Sequence, residues 1–313
     1  MPDTTMPDTT LDTTTRTTPT REAPAARAAA PVRPVRTARR RGSRHGSNAW
    51  AHVILAAGGV VMVFPFVWQL LTSLSTNTQV MSVPPVFWPG ELQWGNYAEV
   101  FSKLPFLQEF WVSVSITVVR TVGQLVLCSM AGYAFARMRF PLRGVLLALV
   151  LSILMVPPQV YLIPQYQIIN GLGWLNTVAG IAAPGVFSAF GTFLMMQFFR
   201  GVPDSLEEAA RLDGANPFQV FARIMLPLAG PSLGALTIIT VLWSWNDLLW
   251  PLVVSTRAES MPLAAGIATF AGRTTTDYTV MMAASVLAMA PILLLFVLLQ
   301  RRVIDGLAHS GLK

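Results

Sequence analysis

The chain predicts an all-α polytopic membrane protein with six transmembrane helices, and three observations support this. Its 313 residues are 53% hydrophobic and only 12% charged, with a mean hydropathy of +0.53, too apolar for an ordinary soluble domain of this size. No Asp, Glu, Lys or Arg occurs between Arg44 and Glu91, or between Arg143 and Arg200. Long apolar runs such as Val280–Leu299 do not alternate with polar residues as barrel strands do. Helices remain, because a span in lipid must satisfy its backbone hydrogen bonds internally.

Crossing about 30 Å of hydrocarbon takes roughly 20 helical residues at about 1.5 Å each. Spans of that length fall at about 50–72, 112–134, 144–165, 178–199, 230–252 and 279–299. Nine arginines precede the first span, and the same side receives Arg137, Arg139 and Arg143, then Arg200, Arg211 and Arg223, then Arg301, Arg302 and Lys313. Lys103, Arg257 and Arg273 fall on the other side, and Arg120 lies within a span. The excess of basic residues places both termini in the cytoplasm. The net charge of +7 follows from this topology and requires no nucleic-acid partner.

Residues 1–45 are rich in Thr, Pro, Ala and Arg and lack apolar periodicity, which reads as a disordered basic tail. The apolar run after it is too long for the core of a signal peptide, so it reads as an uncleaved first span. Residues 46–303 would form the membrane domain and 304–313 a short cytoplasmic tail. Cys128 stands alone inside the second span, and His45, His52 and His309 are scattered. No metal centre is expected from this distribution, and no combination of nucleophile, base and orienting group points to catalysis.

The most informative stretch is the polar island Asp204–Pro227 between two apolar runs. Ser205 with Glu208 fits a capping box, after which Leu206, Ala209, Ala210 and Leu212 would line one helical face. Asp213 and Gly214 interrupt this helix. Asn216 then caps a second one, with Pro217 at its first position and Gln219 at its third. Phe218, Phe221, Ala222 and Met225 would form its apolar stripe, and Pro227 ends it or kinks it into the next span. Glu207, Glu208, Arg211 and Asp213 supply charge for a protein surface. Three clustered acids disfavour the rival reading of helices lying on an anionic leaflet.

At these residues the chain resembles permease subunits of bacterial ATP-binding-cassette importers. Glu208-Ala209-Ala210, Gly214 and Ile224-Met225-Leu226-Pro227 match the family's EAA loop. Ala209-Ala210-Arg211-Leu212-Asp213-Gly214-Ala215 and the run Trp243-Ser244-Trp245-Asn246-Asp247-Leu248-Leu249-Trp250-Pro251-Leu252 look like the carbohydrate-uptake branch, and additional similarities are Ala134-Phe135-Ala136-Arg137, Ile163-Pro164 and Arg301-Arg302-Val303-Ile304-Asp305-Gly306-Leu307.

The resemblance, covering about residues 48–313, implies a type I importer permease fold in the bacterial inner membrane. It also implies a second, distinct permease subunit, two cytoplasmic ATPase subunits and an extracytoplasmic solute-binding protein. Glu207, Glu208, Ala209, Ala210, Asp213, Gly214, Leu226 and Pro227 would carry the ATPase coupling, with Glu208 at the contact. The family tail can also reach the ATPase, but here it departs toward Ala308–Lys313. No GxxxxGK[ST] phosphate loop occurs, so ATP and Mg would be held by the partner subunits and this chain would carry no cofactor.

Polar residues inside spans are candidates for the translocation path: Arg120, Gln124, Gln165, Trp245, Asn246 and Asp247. A charge near mid-bilayer costs about 2.5–3.5 kcal/mol on insertion scales, which selects interior or watery positions. Aromatic rings beside amides suit a sugar, although interhelical packing and gating are the favoured reading of the fifth-span group, since a partner permease can carry most of a sugar site. Arg120 and Gln124 share a helical face and would either line a cavity or pair with an acid of a partner subunit. Pro157-Pro158 should break the third span. The alternatives are a permease for a non-sugar solute, an ion-coupled secondary transporter and a membrane scaffold.

Overall fold

The computed structural model describes residues 49–84, 86–272 and 277–310, so the basic segment 1–45, Arg273 and Lys313 lie outside the described residues. The chain divides into a short unit, Met1–Val53, described only from residue 49, and a large unit, Ile54–Lys313. Among the described residues all regular structure is helical.

Helix α1 (Ala49–Ser73) is followed by the short α2 (Asn77–Val80) and α3 (Gly95–Lys103). Helix α4 (Phe106–Arg137) is an unbroken 32-residue rod, about 48 Å long at 1.5 Å per residue. Helices α5 (Arg143–Ser152) and α6 (Leu162–Gly171) flank the Pro157-Pro158 break. Then come α7 (Val178–Ala182), α8 (Ala189–Gly201), α9 (Asp204–Leu212), α10 (Pro217–Val220) and α11 (Leu226–Leu228). The chain ends with α12 (Gly230–Trp245), α13 (Leu249–Val254), α14 (Leu263–Ala268) and α15 (Tyr278–Ser310).

Three helices are long and apolar enough to cross a membrane unaided: Trp50–Ser73, Phe106–Arg137 and Tyr278–Leu298. Three more segments qualify only as bent pairs. Arg143–Met155 and Pro158–Gly171 meet at 102°, Val178–Gly185 and Ala189–Gly201 at 44°, and Pro217–Leu228 and Gly230–Trp245 at 75°. Counting each pair once gives six spans.

Two expectations need correction. The third span does break at Pro157-Pro158, but a turn of 102° makes its halves separate segments rather than one rod over 144–165. The fifth does not continue to residue 252: α12 ends at Trp245 and α13 starts afresh at Leu249, which takes Asn246 and Asp247 out of the helix.

The core runs along α4, which packs on α8 and α12. At one end Cys128, Tyr133, Met195, Phe199, Val220, Met225 and Leu236 are buried together. At the other, Phe106, Leu263, Val280 and Ala284 form a second cluster. Much of the remaining apolar surface, such as Val60, Met62 and Phe64 on α1, is exposed, as expected of helices that face lipid or another subunit.

Candidate functional site

The Asp204–Pro227 loop folds as two helices joined at a tight bend. Helix α9 starts at Asp204 with Pro203 before it and no side-chain cap. The Ser205–Glu208 capping box therefore does not form, because Ser205 already lies within the first turn. The C-terminus is closed by a Schellman motif, in which Gly214 N–H donates to Arg211 O at 3.0 Å and Ala215 N–H to Ala210 O at 2.9 Å. Gly214 sits at φ +85°, the left-handed region that a side chain resists.

Asn216 caps the second helix as read from the sequence: its Oδ1 accepts from Gln219 N at 2.9 Å while Asn216 N–H donates to Gln219 Oε1 at 2.9 Å. A π-turn over Phe221–Met225 links α10 to α11, and the chain bends at Ala229 into α12. Val220, Phe221 and Met225 sink into the core beside Tyr133 and Phe199. Phe218, assigned to the same stripe, is instead 69% exposed.

Helix α9 is held by its own acids. Arg137, the last residue of α4, has a largely covered side chain that bonds Asp204, donates to Phe199 O at 2.9 Å, and donates also to Val202 O. Glu207 lies between Arg137 (3.8 Å) and Arg211 (3.3 Å). Glu207 and Ala210, one turn apart, face inward. Glu208, Ala209, Asp213 and Gly214 face out, Pro227 is exposed and Leu226 half-buried. Leu206, Ala209 and Leu212 do not share the buried face of Ala210: Leu212 is 89% exposed. The loop thus has one side bolted to the bundle and an open side mixing acids with Leu212 and Phe218. A cavity of about 710 Å³ between α4 and α9 is lined by Tyr133, Arg137, Arg139, Arg143 and Glu207 among others.

A second polar site lies in the membrane-crossing part. The break after α7 frees carbonyls that lipid cannot satisfy. One row on α4, spaced four residues apart, serves them: Arg120 donates to Ile181 O at 2.6 Å, Gln124 Nε2 to Gly185 O at 2.8 Å, and Cys128 Sγ to Ser188 O at 3.4 Å. Thr240 on α12 donates to Gln124 Oε1 at 2.8 Å. The other arm of Arg120 reaches Asp247 at 2.8 Å. The acid paired with Arg120 is therefore in the same chain.

Only part of the candidate path comes together. Arg120, Gln165 and Asp247 line a cavity of about 240 Å³ with Tyr161 and Trp250. Gln124 is buried beside it in the carbonyl network. Trp245 turns away and donates to Ala288 O at 3.1 Å, while Asn246 closes its own helix on Leu242 O at 2.8 Å. Both line a different cavity, of about 290 Å³, next to α14.

One cluster was not read from the sequence. Asp277 receives Lys103 and Asn77, and Lys103 also pairs with Glu99 at 2.7 Å. The hydrogen bond from Lys103 holds the Asp277 carboxyl below its ordinary range. Desolvation pulls Lys103 down, but its bonds to Asp277 and Glu99 outweigh that and raise it. The only sequence signal is the isolated position of these charges among apolar segments.

A helical bundle of bent and straight spans, with an anchored two-helix loop open on one side, defines a multi-pass transport permease. Its sequence places it accordingly: residues 125–309 match the family described as binding-protein-dependent transport system inner membrane component, and the chain belongs to that family. It is 33% identical over 276 residues to the sn-glycerol-3-phosphate transport system permease protein UgpE of Pectobacterium atrosepticum, covering 86% of this chain and 98% of the relative. It is 36% identical over 256 residues to the arabinooligosaccharides transport system permease protein AraQ of Halalkalibacterium halodurans, covering 81% and 92%. A crystal structure of a bacterial ABC transporter involved in the import of the acidic polysaccharide alginate contains a chain of the same fold, with TM-score 0.71, 24% identity and coverage of 81% and 95%.

Proposed function

We propose that this permease imports sugars or oligosaccharides and is driven by separate cytoplasmic ATPase subunits that dock on the open side of the Asp204–Pro227 loop. The observation that carries the docking is the loop's two-sidedness. Glu207, Ala210, Val220 and Met225 fix it to α4 and the core, while Leu212 and Phe218 stand 89% and 69% exposed beside Glu208 and Asp213. Exposed apolar groups ringed by charge are the usual centre of a protein interface. In this reading Glu208, Ala209, Asp213 and Gly214 meet the ATPase, and Glu207, Ala210, Leu226 and Pro227 transmit its movement to α4 and α12. ATP and Mg belong to those subunits. A second, distinct permease and an external binding protein complete the machine, and both termini lie in the cytoplasm.

The substrate class is supported by the relative named for arabinooligosaccharides and by the cavity of Arg120, Tyr161, Gln165, Asp247 and Trp250. Rings and amides there suit hydroxyl-rich ligands. ATPase activity of the copurified complex, with its binding protein and a panel of mono- and oligosaccharides, tests the reading. Stimulation by one sugar class is expected. An active complex indifferent to every sugar would overturn the substrate class.

A further inference from the structure

Glu109 is the one acid in the described residues that is wholly buried with neither carboxylate oxygen hydrogen-bonded. It lies in the first turn of α4, at the end opposite Arg137 and the loop. Its carboxyl group occupies the space beside Gly266 of α14, where a Cβ would collide with it. One turn further on, Ser113 Oγ accepts from Leu263 N at 2.8 Å, so α14 is seated on α4 at two successive points. The other flank of α14 borders the 290 Å³ cavity lined by Trp245, Asn246, Leu263, Ile267, Ser285 and Met289, which leaves room for displacement.

An unpaired carboxylate in such a place carries a prohibitive desolvation cost. Among the described residues no counter-ion faces it. Helices α14 and α12 contain no ionisable residue, and Tyr278 is the only ionisable group of α15 between Tyr278 and Leu298. On α3, Glu99 and Lys103 are engaged with each other, and Lys103 with Asp277 as well. Arg257 and Glu259, at the turn Ala258–Ser260 that also packs on α4, are exposed. A partner chain cannot reach the group either, since Glu109 has no accessible surface.

We propose that Glu109 is a proton-carrying positioning residue: it is the neutral acid while α14 is seated on α4, and it ionises to water when α14 lifts. The proton lost on lifting returns on reseating, so the step moves no net proton. Rising pH therefore favours the lifted conformation, by up to about tenfold per pH unit between the ionisation ranges of the two states. The inference rests on the permease reading only for the idea that this end of the bundle opens during transport. The seat itself can be tested without transport.

The test is thiol labelling of Ala265→Cys, a position with no exposure when α14 is seated, in the full chain within its complex in lipid nanodiscs and with Cys128→Ser as background. Rates are corrected for thiolate content against a fully exposed cysteine. With Glu109 present, labelling should accelerate severalfold to tenfold per unit over part of the range pH 5.5–9. Glu109→Gln, an uncharged isostere, should be slow and flat. Gly266→Ala, which obstructs the seat, should label fast at every pH. A flat profile with Glu109 present, a Gln variant that keeps the slope, or an unchanged Gly266→Ala profile would each overturn the proposal. None of these results depends on an ATPase or a sugar, so failure here is distinguishable from failure of the transport reading.

Discussion

Arg120 and Asp247, separated by 127 positions in the chain, meet at 2.8 Å and join α4 to the gap between α12 and α13. The same guanidinium closes the break after α7 by donating to Ile181 O. One side chain therefore ties two broken segments to the straight rod α4. Arg120→Met should cost more stability than Asp247→Asn, because it strands a carboxylate and a carbonyl, whereas the amide oxygen of the Asp247→Asn variant can still accept from Arg120. Breaking a buried pair costs about 3–5 kcal/mol, and the 24% exposure of the Asp247 side chain moves this pair below that range. Thermal unfolding in detergent should show the order Arg120→Met below Asp247→Asn, and a double variant less damaged than the sum.

Glu207 and Glu208 are neighbours with opposite duties. Glu207→Gln should loosen α9 from Arg137 and lower the melting temperature. Glu208→Gln should leave the melting temperature unchanged and reduce the amount of ATPase that copurifies. Equal effects of both substitutions on melting would contradict the two-sided loop.

Leu212→Ala and Phe218→Ala remove exposed apolar groups, so neither should destabilise the chain. Each should weaken ATPase binding by about 1–2 kcal/mol, roughly 5- to 30-fold, if it sits near the centre of the interface. Titration of the purified ATPase onto nanodisc-held permease reads this directly.

Gly214→Ala places a methyl group on a residue at φ +85°, at a cost of about 1–2 kcal/mol. Gly214→Asn should be milder, since Asn tolerates the left-handed region. Limited proteolysis of the loop should rise in the order Gly, Asn, Ala.

The Lys103–Asp277 clasp gives a pH window. Asp277 is lowered in the folded chain, so its contribution is complete above its ordinary range and is lost as pH falls through the folded value. Lys103 is raised, so its contribution is complete below about 10.5 and is lost as pH rises through the folded value. Asp277→Asn should lower the melting temperature by a constant amount between pH 5 and 9, with the difference shrinking only in strong acid or base.

The span count could be read directly from the sequence, because charge-free runs of about 20 residues have few other fates. The break at Pro157-Pro158 was also readable, since proline removes a donor and crowds the preceding turn. The size and direction of the bends were not: hydropathy is blind to direction, and Leu249–Leu252 looked like a continuation of α12. The Gly214 bend and Asn216 cap are local and were legible. Which of Glu207 and Glu208 faces inward depends on Arg137, some 70 positions away, and adjacent residues on a helix differ by about 100°. Arg120 and Gln124 were placed on one face. That they serve the carbonyls of a broken span was hidden until the break was seen.

The central claim is that the Asp204–Pro227 loop couples this permease to a separate ATPase. Cross-linking from a photoreactive residue at position 212, in native membranes with and without ATP, tests it most directly. The account predicts one major adduct with a phosphate-loop ATPase subunit, its yield changing with nucleotide, and none from position 207. Adducts only with lipid, or equal adducts from both positions, would contradict it.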